Sequence, residues 1–227
     1  MTNSPSATAA DVWRFGTSNA QLLISSLSGE VTLDNPAAGI GRLAWNDVPL
    51  VGHVLGVSAG ESSSPQDAFA RGADLVAVYA QTEPQRFSWQ VYWRASAPEA
   101  GVVLLDVILS LQTPLLESFP RVATHSQLAA SEASTVAAEG DCIVLRPTEG
   151  DWSYAEMTHP KDCGSWQLSS AANNQISLQR TLGGQFLEKG VIRRLRLRGA
   201  FLPRENDLEL AAHYFALLAT ETPPLTA

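Results

Sequence analysis

The chain has 227 residues, of which 45% are hydrophobic and 17% are charged, so it can bury a substantial core and is not a disordered protein. Its 23 acidic and 15 basic residues give a formal net charge of -8. This charge disfavours nucleic acid as a partner, because binding to phosphate backbones relies on clustered Lys and Arg. No apolar run approaches the length of a membrane span, so we expect no membrane association.

The first ten residues, MTNSPSATAA, have neither the basic region nor the apolar run of a secretory signal. We expect a flexible tail over residues 1–10 and a single domain over 11–227. The two cysteines, Cys142 and Cys163, could form one disulfide, but so few in a chain of this length are more typical of free thiols in a reducing compartment. The sequence therefore predicts a cytoplasmic protein and leaves the pairing of the cysteines open.

From residue 20 onward, apolar and polar residues alternate in runs separated by Gly, Pro, Asn, Asp and Ser, which is the pattern of half-buried antiparallel strands. The predicted strands are 21–28, 41–45, 51–57, 73–81, 87–95, 101–113, 121–128, 143–146, 151–156, 165–168, 175–180 and 191–202. A Ser-rich loop is expected over 60–68. A single open sheet of this size would leave an apolar face bare, so the sequence predicts a large antiparallel β-sandwich of two sheets.

Two predictions within this sandwich are specific. If residues 73–81 and 87–95 form a hairpin in which Gln81 pairs with Phe87, then Tyr79 faces Trp89 and Asp74 faces Arg94. In the run 101–113, one face is apolar throughout and consists of Val103, Leu105, Val107, Leu109 and Leu111. The strand therefore presents one dry face to a core.

The segment NDLELAAHYFALLATETPP changes from strand to helix spacing. Its apolar residues predict one amphipathic helix over about 207–220, with Asn206 or Asp207 as the cap and Pro223 after the end. His213 lies off the apolar stripe, so we expect its side chain to face solvent. The fold class predicted from the sequence is thus mainly β with one C-terminal helix.

The sequence lacks the motifs of several enzyme classes. It contains no Walker-type phosphate loop, no dinucleotide fingerprint, no His-Glu-x-x-His motif and no nucleophile elbow. The spacing of the two cysteines fits neither a redox motif nor a zinc motif. We therefore predict neither a cofactor nor a metal.

The stretch YAEMTHPKDCG places Glu156, His159, Asp162 and Cys163 within eight positions, and these residue types suit proton transfer or metal binding. Pro160 disfavours helix at His159, so Glu156 and His159 are not gathered on one helix face. On an extended chain, the side chains of Glu156 and His159 point to opposite sides. The simpler interpretation is a strand that ends in a turn, where Asp162 makes a local backbone hydrogen bond and Cys163 points inward.

A second polar group lies on the strand over 121–128. Arg121, His125 and Gln127 share one face, which either lines a concave binding surface or is an ordinary exposed face. Among the six tryptophans, Trp152 and Trp166 flank the stretch described above and are candidates to stack on a sugar ring. Together these five residues form the predicted ligand-binding set.

A third polar group is the basic face of VIRRLRLRGAFL. Arg194, Arg196 and Arg198 repeat roughly every 7 Å along one side of a strand. Such a row could bind a phosphate or carboxylate ligand. Pairing with acidic residues on neighbouring strands is the favoured interpretation, because the many acidic side chains need partners.

The segments RGADLVAVYAQT, QVYWRA, YAEMTHP and FLEKGVIRRLRLRGAFLPR resemble those of a bacterial protein family with no assigned activity. The series of long strands, with Glu188, Lys189 and Gly190 in a turn before the last one, is also similar to the sandwich of the galactose mutarotase-like proteins. That resemblance implies a cofactor-free acid and base, a histidine and a carboxylate, on a concave sheet face. His125, His159 and Glu156 are the residues of suitable type.

Three functions remain open from the sequence. The first is binding of a carbohydrate or similar polar small molecule on a concave face. The second is a cofactor-free sugar epimerase or mutarotase that uses His125 or His159 as acid and Glu156 as base. The third is a structural or assembly protein that uses a sheet edge or the arginine face. The sequence does not determine the oligomeric state.

Overall fold

A computed structural model describes residues 12–60, 64–83, 86–137, 141–171 and 174–222. The predicted N-terminal tail and Pro223 lie outside these ranges. The described strands fall into three antiparallel sheets, and α1 (Asp207–Thr220) is the α-helix that follows them. The mainly β fold with one C-terminal helix is therefore confirmed, and the helix has the predicted bounds. The described strands form three sheets where we predicted two, because the layer opposite the largest sheet is divided into two smaller sheets.

The five-stranded sheet is a meander that follows chain order. Its strands are β1 (Trp13–Phe15), β2 (Asn19–Ile24), β3 (Leu27–Thr32), β4 (Gly41–Trp45) and β5 (Val48–Pro49). The other strands, in chain order, are β6 (Gly52–Ser58), β7 (Asp67–Arg71), β8 (Asp74–Tyr79), β9 (Ser88–Ser96), β10 (Val103–Gln112), β11 (Arg121–Ala129), β12 (Glu132–Thr135), β13 (Cys142–Arg146), β14 (Trp152–Thr158), β15 (Cys163–Ala171), β16 (Gln175–Gly183) and β17 (Ile192–Pro203). They form an eight-stranded sheet in the order β12-β13-β14-β17-β10-β9-β8-β7 and a four-stranded sheet in the order β15-β16-β11-β6.

One hydrophobic core is shared by all three sheets. The eight-stranded sheet forms one layer, and the two smaller sheets, joined by a bridge between Ile40 and Val54, form the other. The apolar face predicted on β10 lies in this core, where its five residues are at most 1% exposed. Burial of such aliphatic side chains contributes roughly 1.5–3 kcal/mol each. The sandwich is therefore held together by the alternation seen in the sequence.

The hairpin of β8 and β9 has the predicted register. Tyr79 pairs with Trp89, and their rings stack with centroids 3.8 Å apart. On the other face, Asp74 accepts two hydrogen bonds from the Arg94 guanidinium, at 2.7 and 2.8 Å. The apolar and charged pairs thus lie on opposite sides of the sheet, as the alternation requires.

Helix α1 packs on the outer face of the eight-stranded sheet, through Ala211, Tyr214 and Leu218. Neither predicted cap forms in the expected way: Asn206 occupies the cap position without a side-chain hydrogen bond to the helix. Asp207 instead accepts hydrogen bonds from Arg146, which attaches the start of the helix to β13. His213 is exposed, as predicted. No helix in the described part of the chain is long and apolar enough to cross a membrane.

Two strand predictions are wrong in detail. The run 21–28 is not one strand but a tight hairpin, because Ser25 takes a left-handed backbone conformation (φ +50°) and Ile24 pairs with Leu27. Of the predicted loop over 60–68, residues 61–63 lie outside the described ranges, and the last two residues belong to β7, which begins at Asp67 and pairs with β8. Edge strands of this kind carry little alternation of their own.

The two cysteines do not pair. Cys142 is buried and Cys163 is partly exposed, and both are free thiols. Burial raises the pKa of Cys142 to about 12, so its side chain behaves as a small apolar group.

Candidate functional site

A groove of about 660 Å³ lies on the outer face of the four-stranded sheet. Strand β11 contributes the polar residues predicted from its alternation: His125 and Gln127 line the groove, whereas Thr124 and Ser126 are buried. The outward face of this strand is thus an open polar surface, and its inward face belongs to the sandwich interior.

The neighbouring strands extend this polar surface in register. His125 pairs with Gln179 of β16, which pairs with Gln167 of β15. Gln127 pairs with His53 of β6 on its other side. His53, Gln167 and Gln179 are not among the residues predicted from the sequence, because nothing local in a sequence says which strands become neighbours.

The imidazole rings of His53 and His125 meet edge to face, with centroids 5.1 Å apart and planes at 68°. A β-bulge makes this contact possible: the pairing of β6 with β11 shifts between His125 and Gln127, and Leu55 has a left-handed φ of +58°. Gly56 then lies beneath the His125 ring. A Cβ atom at this glycine would be only 2.3 Å from His125 Nε2.

Both groove histidines favour the neutral form. Burial lowers the pKa of His53, and the nearby His125 lowers it further. Burial also lowers the pKa of His125. A neutral imidazole has one donor and one acceptor nitrogen, so at neutral pH this pair adds hydrogen-bonding capacity without adding charge.

The floor of the groove covers a buried ion pair. Arg180 borders the groove but points inward, where Nε donates to Glu156 Oε1 at 3.1 Å and Nη2 donates to the Glu156 carbonyl at 3.0 Å. The same carboxylate accepts hydrogen bonds from the hydroxyls of Ser126 and Tyr154. Glu156 is therefore enclosed between the two layers of the sandwich, and it does not reach the groove.

His159 lies elsewhere, near the C-terminal end of α1. Its Nδ1 accepts a hydrogen bond from the Lys161 amide at 3.2 Å and lies 3.9 Å from an Asp162 carboxylate oxygen. Burial lowers the pKa of His159, and the adjacent Arg196 lowers it further. His125, His159 and Glu156 thus occupy three separate places and form no common site for proton transfer.

The turn after β14 follows the prediction in part. The strand ends at Thr158, before Pro160, and the Asp162 amide donates to the His159 carbonyl at 2.8 Å. The Asp162 carboxylate accepts a hydrogen bond from the distant Arg196 amide at 3.1 Å, where we expected a local one. Cys163 also differs from the prediction, because it is partly exposed where we expected it to point inward. The side chains of Glu156 and His159 therefore do not form one site in this stretch.

The remaining predicted ligand residues are dispersed. Trp166 borders the groove on the edge strand and is 38% exposed, but it pairs with Arg180, so its side chain is on the opposite face from Gln167. Arg121 lies at the end of β11 against Gly184. Trp152 packs against Trp45 and lines a different cavity, of about 680 Å³.

Two residues of the arginine face form ion pairs with acids: Arg198 with Asp106 on a neighbouring strand, as favoured from the sequence, and Arg196 with Asp162 in the turn after β14. Arg198 Nε donates to Asp106 Oδ1 at 2.6 Å across the β10–β17 ladder, and its Nη2 donates to Glu221 at 2.9 Å. Arg196 donates to the Glu221 carbonyl at 2.6 Å. Both guanidinium groups are largely buried, so they fasten the segment after α1 to the sheet. Within the described ranges, no group of three or more His, Cys, Asp or Glu residues could hold a metal ion.

Comparisons with known proteins show the fold and no family. No protein family and no curated protein matches the chain, so the resemblance to a bacterial family stays a prediction. Among solved structures, a protein from the human microbiome that is provisionally named a kojibiose phosphorylase matches 95% of this chain and 34% of its own, with 8% identity and a TM-score of 0.50. This match shows that the fold recurs within a longer protein.

Two further structures are less similar. A mutant heparan sulfate lyase, HepC, from Pedobacter heparinus matches 82% of this chain and 35% of its own, with 8% identity and a TM-score of 0.49. A protein from Klebsiella pneumoniae, provisionally named an aldose 1-epimerase, matches 90% of this chain and 84% of its own, with 9% identity and a TM-score of 0.38. The chain thus spans about a third of the length of the first two structures.

Proposed function

We propose that the chain binds an uncharged carbohydrate, or a similar polar small molecule, in the groove of the four-stranded sheet. The observation that carries this proposal is the continuous array of neutral hydrogen-bonding side chains across the sheet, formed by His53, His125, Gln127, Gln179 and Gln167. Amides and neutral imidazoles both donate and accept hydrogen bonds, which matches the hydroxyl groups of a sugar.

The charges around the groove favour a neutral ligand over an anionic one. Among the described residues that line it, Arg180 is the single cation, and its guanidinium is directed at Glu156 beneath the floor. A sulfate, phosphate or uronate group would lose its hydration without gaining a charged partner, which is costly. No carboxylate lines the described groove, so a cationic ligand lacks a partner as well.

The wider context is part of the same proposal. We propose that the sandwich belongs among the galactose mutarotase-like, or supersandwich, folds, and the match over 95% of this chain to the structure provisionally named a kojibiose phosphorylase supports this. A single domain over residues 11–227 is supported by the continuous core. A cytoplasmic location agrees with two free thiols.

The proposal is one of binding, not of catalysis. The epimerase mechanism considered from the sequence needs a histidine and a carboxylate at one site, and His125, His159 and Glu156 are held apart. Assembly through the arginine face is also disfavoured, because Arg196 and Arg198 are occupied by internal partners.

The test is calorimetric titration of the protein with a panel of neutral mono- and oligosaccharides, together with glucuronic acid and glucosamine. We expect saturable binding of at least one neutral sugar and none of the charged ones. His125→Ala and Gln179→Ala should each weaken binding about two- to tenfold, the loss expected for one hydrogen bond. Gln21→Ala, an exposed glutamine on the five-stranded sheet, is the matched control. If no sugar of the panel binds, or if no groove variant alters the binding, the proposal is refuted.

A further inference from the structure

The lining of the groove comes from all four strands of the sheet. We infer that the groove takes a linear, neutral oligosaccharide lying perpendicular to the strands, so that recognition requires more than one sugar ring. This inference rests on the proposed function and specifies the class of ligand.

The longer polar side chains define the direction. Gln167, Gln179 and His125 are directly paired on three neighbouring strands, and His125 is opposite Gly56 on the fourth. Neighbouring strands are about 4.8 Å apart, so a row that crosses four strands extends over roughly 14 Å. A single sugar ring covers only part of that length, whereas a linear chain can contact the whole row.

A parallel row of short side chains gives the groove its depth. One step along the same face, Ser58, Ala123, Thr181 and Ser165 are paired across the same four strands, and all of them line the groove. Side chains on one face repeat roughly every 7 Å along a strand. The short row therefore lies beside the row of Gln167, Gln179 and His125, whose longer side chains flank it.

Arg121 comes next along β11 but does not line the groove, and its side chain lies against Gly184, where a Cβ atom would be 3.0 Å from Arg121 Nε. An elongated ligand that lies over the short row is thus flanked by the amides and the imidazole of the longer row. These groups can bond to hydroxyls along the length of the chain.

The two ends of the row allow a sharp test. His125 is near the β6 end and Gln167 is on the edge strand β15, so a short ligand bound beside the histidine pair does not reach Gln167. We would titrate glucose, maltose and maltotriose, and the matching series from cellobiose and mannobiose, into the protein and into His125→Ala, Gln167→Ala and Gln21→Ala. Unchanged circular dichroism and melting temperatures would show that these surface variants are folded.

In at least one series, the affinity should rise tenfold or more from monosaccharide to trisaccharide. Gln167→Ala should weaken the trisaccharide about two- to tenfold and leave the monosaccharide unchanged, whereas His125→Ala should weaken both. Equal affinity for mono- and trisaccharide, or a trisaccharide insensitive to Gln167→Ala, would overturn the inference while the proposed function stands. Absence of binding by every sugar would overturn both.

Discussion

The His125 ring lies directly over Gly56, so close that a single methyl group on the glycine would be 2.3 Å from the ring nitrogen Nε2 and would clash with it. This packing places the imidazole beside His53, and it depends on the bulge in β6. The geometry of the groove is therefore set by a residue that has no side chain.

Replacing this glycine should disturb the groove and leave the fold intact. In Gly56→Ala, the new Cβ must displace the end of the His125 side chain, which can rotate away, so we expect a loss of stability of about 1–3 kcal/mol. NMR shifts of His125 should change, and sugar binding should weaken. The matched control is Gly41→Ala, where an added Cβ has no atom within 4 Å. Identical histidine spectra for wild type and Gly56→Ala would contradict the packing described.

The two groove histidines should make stability depend on pH. The folded-state pKa values of these histidines lie below the ordinary value of 6.5. Between pH 6.5 and those lowered pKa values, the unfolded chain therefore binds more protons than the folded chain. Stability should therefore fall as the pH drops below 6.5 and towards those lowered pKa values.

Urea unfolding measured from about pH 7.5 to about pH 5 tests this prediction. A His53→Gln/His125→Gln variant should lose less stability over this range than the wild type. The difference between the two profiles isolates these histidines from the other titrating groups, His159 included. Parallel profiles would rule out the expected contribution.

The ion pair between Glu156 and Arg180 should be costly to break from one side only. Both side chains are at most 1% exposed, so Glu156→Gln leaves a guanidinium buried without its charged partner and should cost roughly 3–5 kcal/mol. A Glu156→Leu/Arg180→Met variant removes both charges, and it should be less destabilised than Glu156→Leu or Arg180→Met alone. Denaturant titration of the wild type, these two single variants and the double variant measures the coupling. If the double variant loses as much stability as the two single variants together, this account is contradicted.

Asp207 should hold α1 against the sheet. Burial acts to raise the pKa of this carboxyl, but hydrogen bonds from Arg146 and Ser153 outweigh it, and the pKa lies below its ordinary value. The stabilisation is present above the ordinary pKa of 3.8 and is lost as the pH falls through the lowered folded value.

Asp207→Asn should cost about 2–3 kcal/mol, because a charged acceptor of three hydrogen bonds is lost. Glu209→Gln is the control, since Glu209 is an exposed acid in the same first turn. Hydrogen exchange should show that α1 opens more often in Asp207→Asn alone. Equal effects of the two variants would show that the charge near the helix start matters and the bonds to Arg146 and Ser153 do not.

Much of the fold follows from local patterns. Alternation along β10 predicts its buried face, and the pairing of Asp74 with Arg94 follows from one assumed hairpin register. The change to helical spacing gives α1 its bounds. The short strands β5 and β7 escape detection because they contribute little to the core and carry little pattern.

The candidate site follows from the sequence only in part. The period of two on β11 determines that His125 and Gln127 share a face, because the direction of a side chain from a strand is a local property. Which strands lie beside β11 is decided by packing between distant parts of the chain, and only the tertiary structure brings His53, Gln179 and Gln167 to that face. The same non-local packing encloses Glu156 with Arg180 and leaves His159 near the C-terminal end of α1, although the two residues are three positions apart.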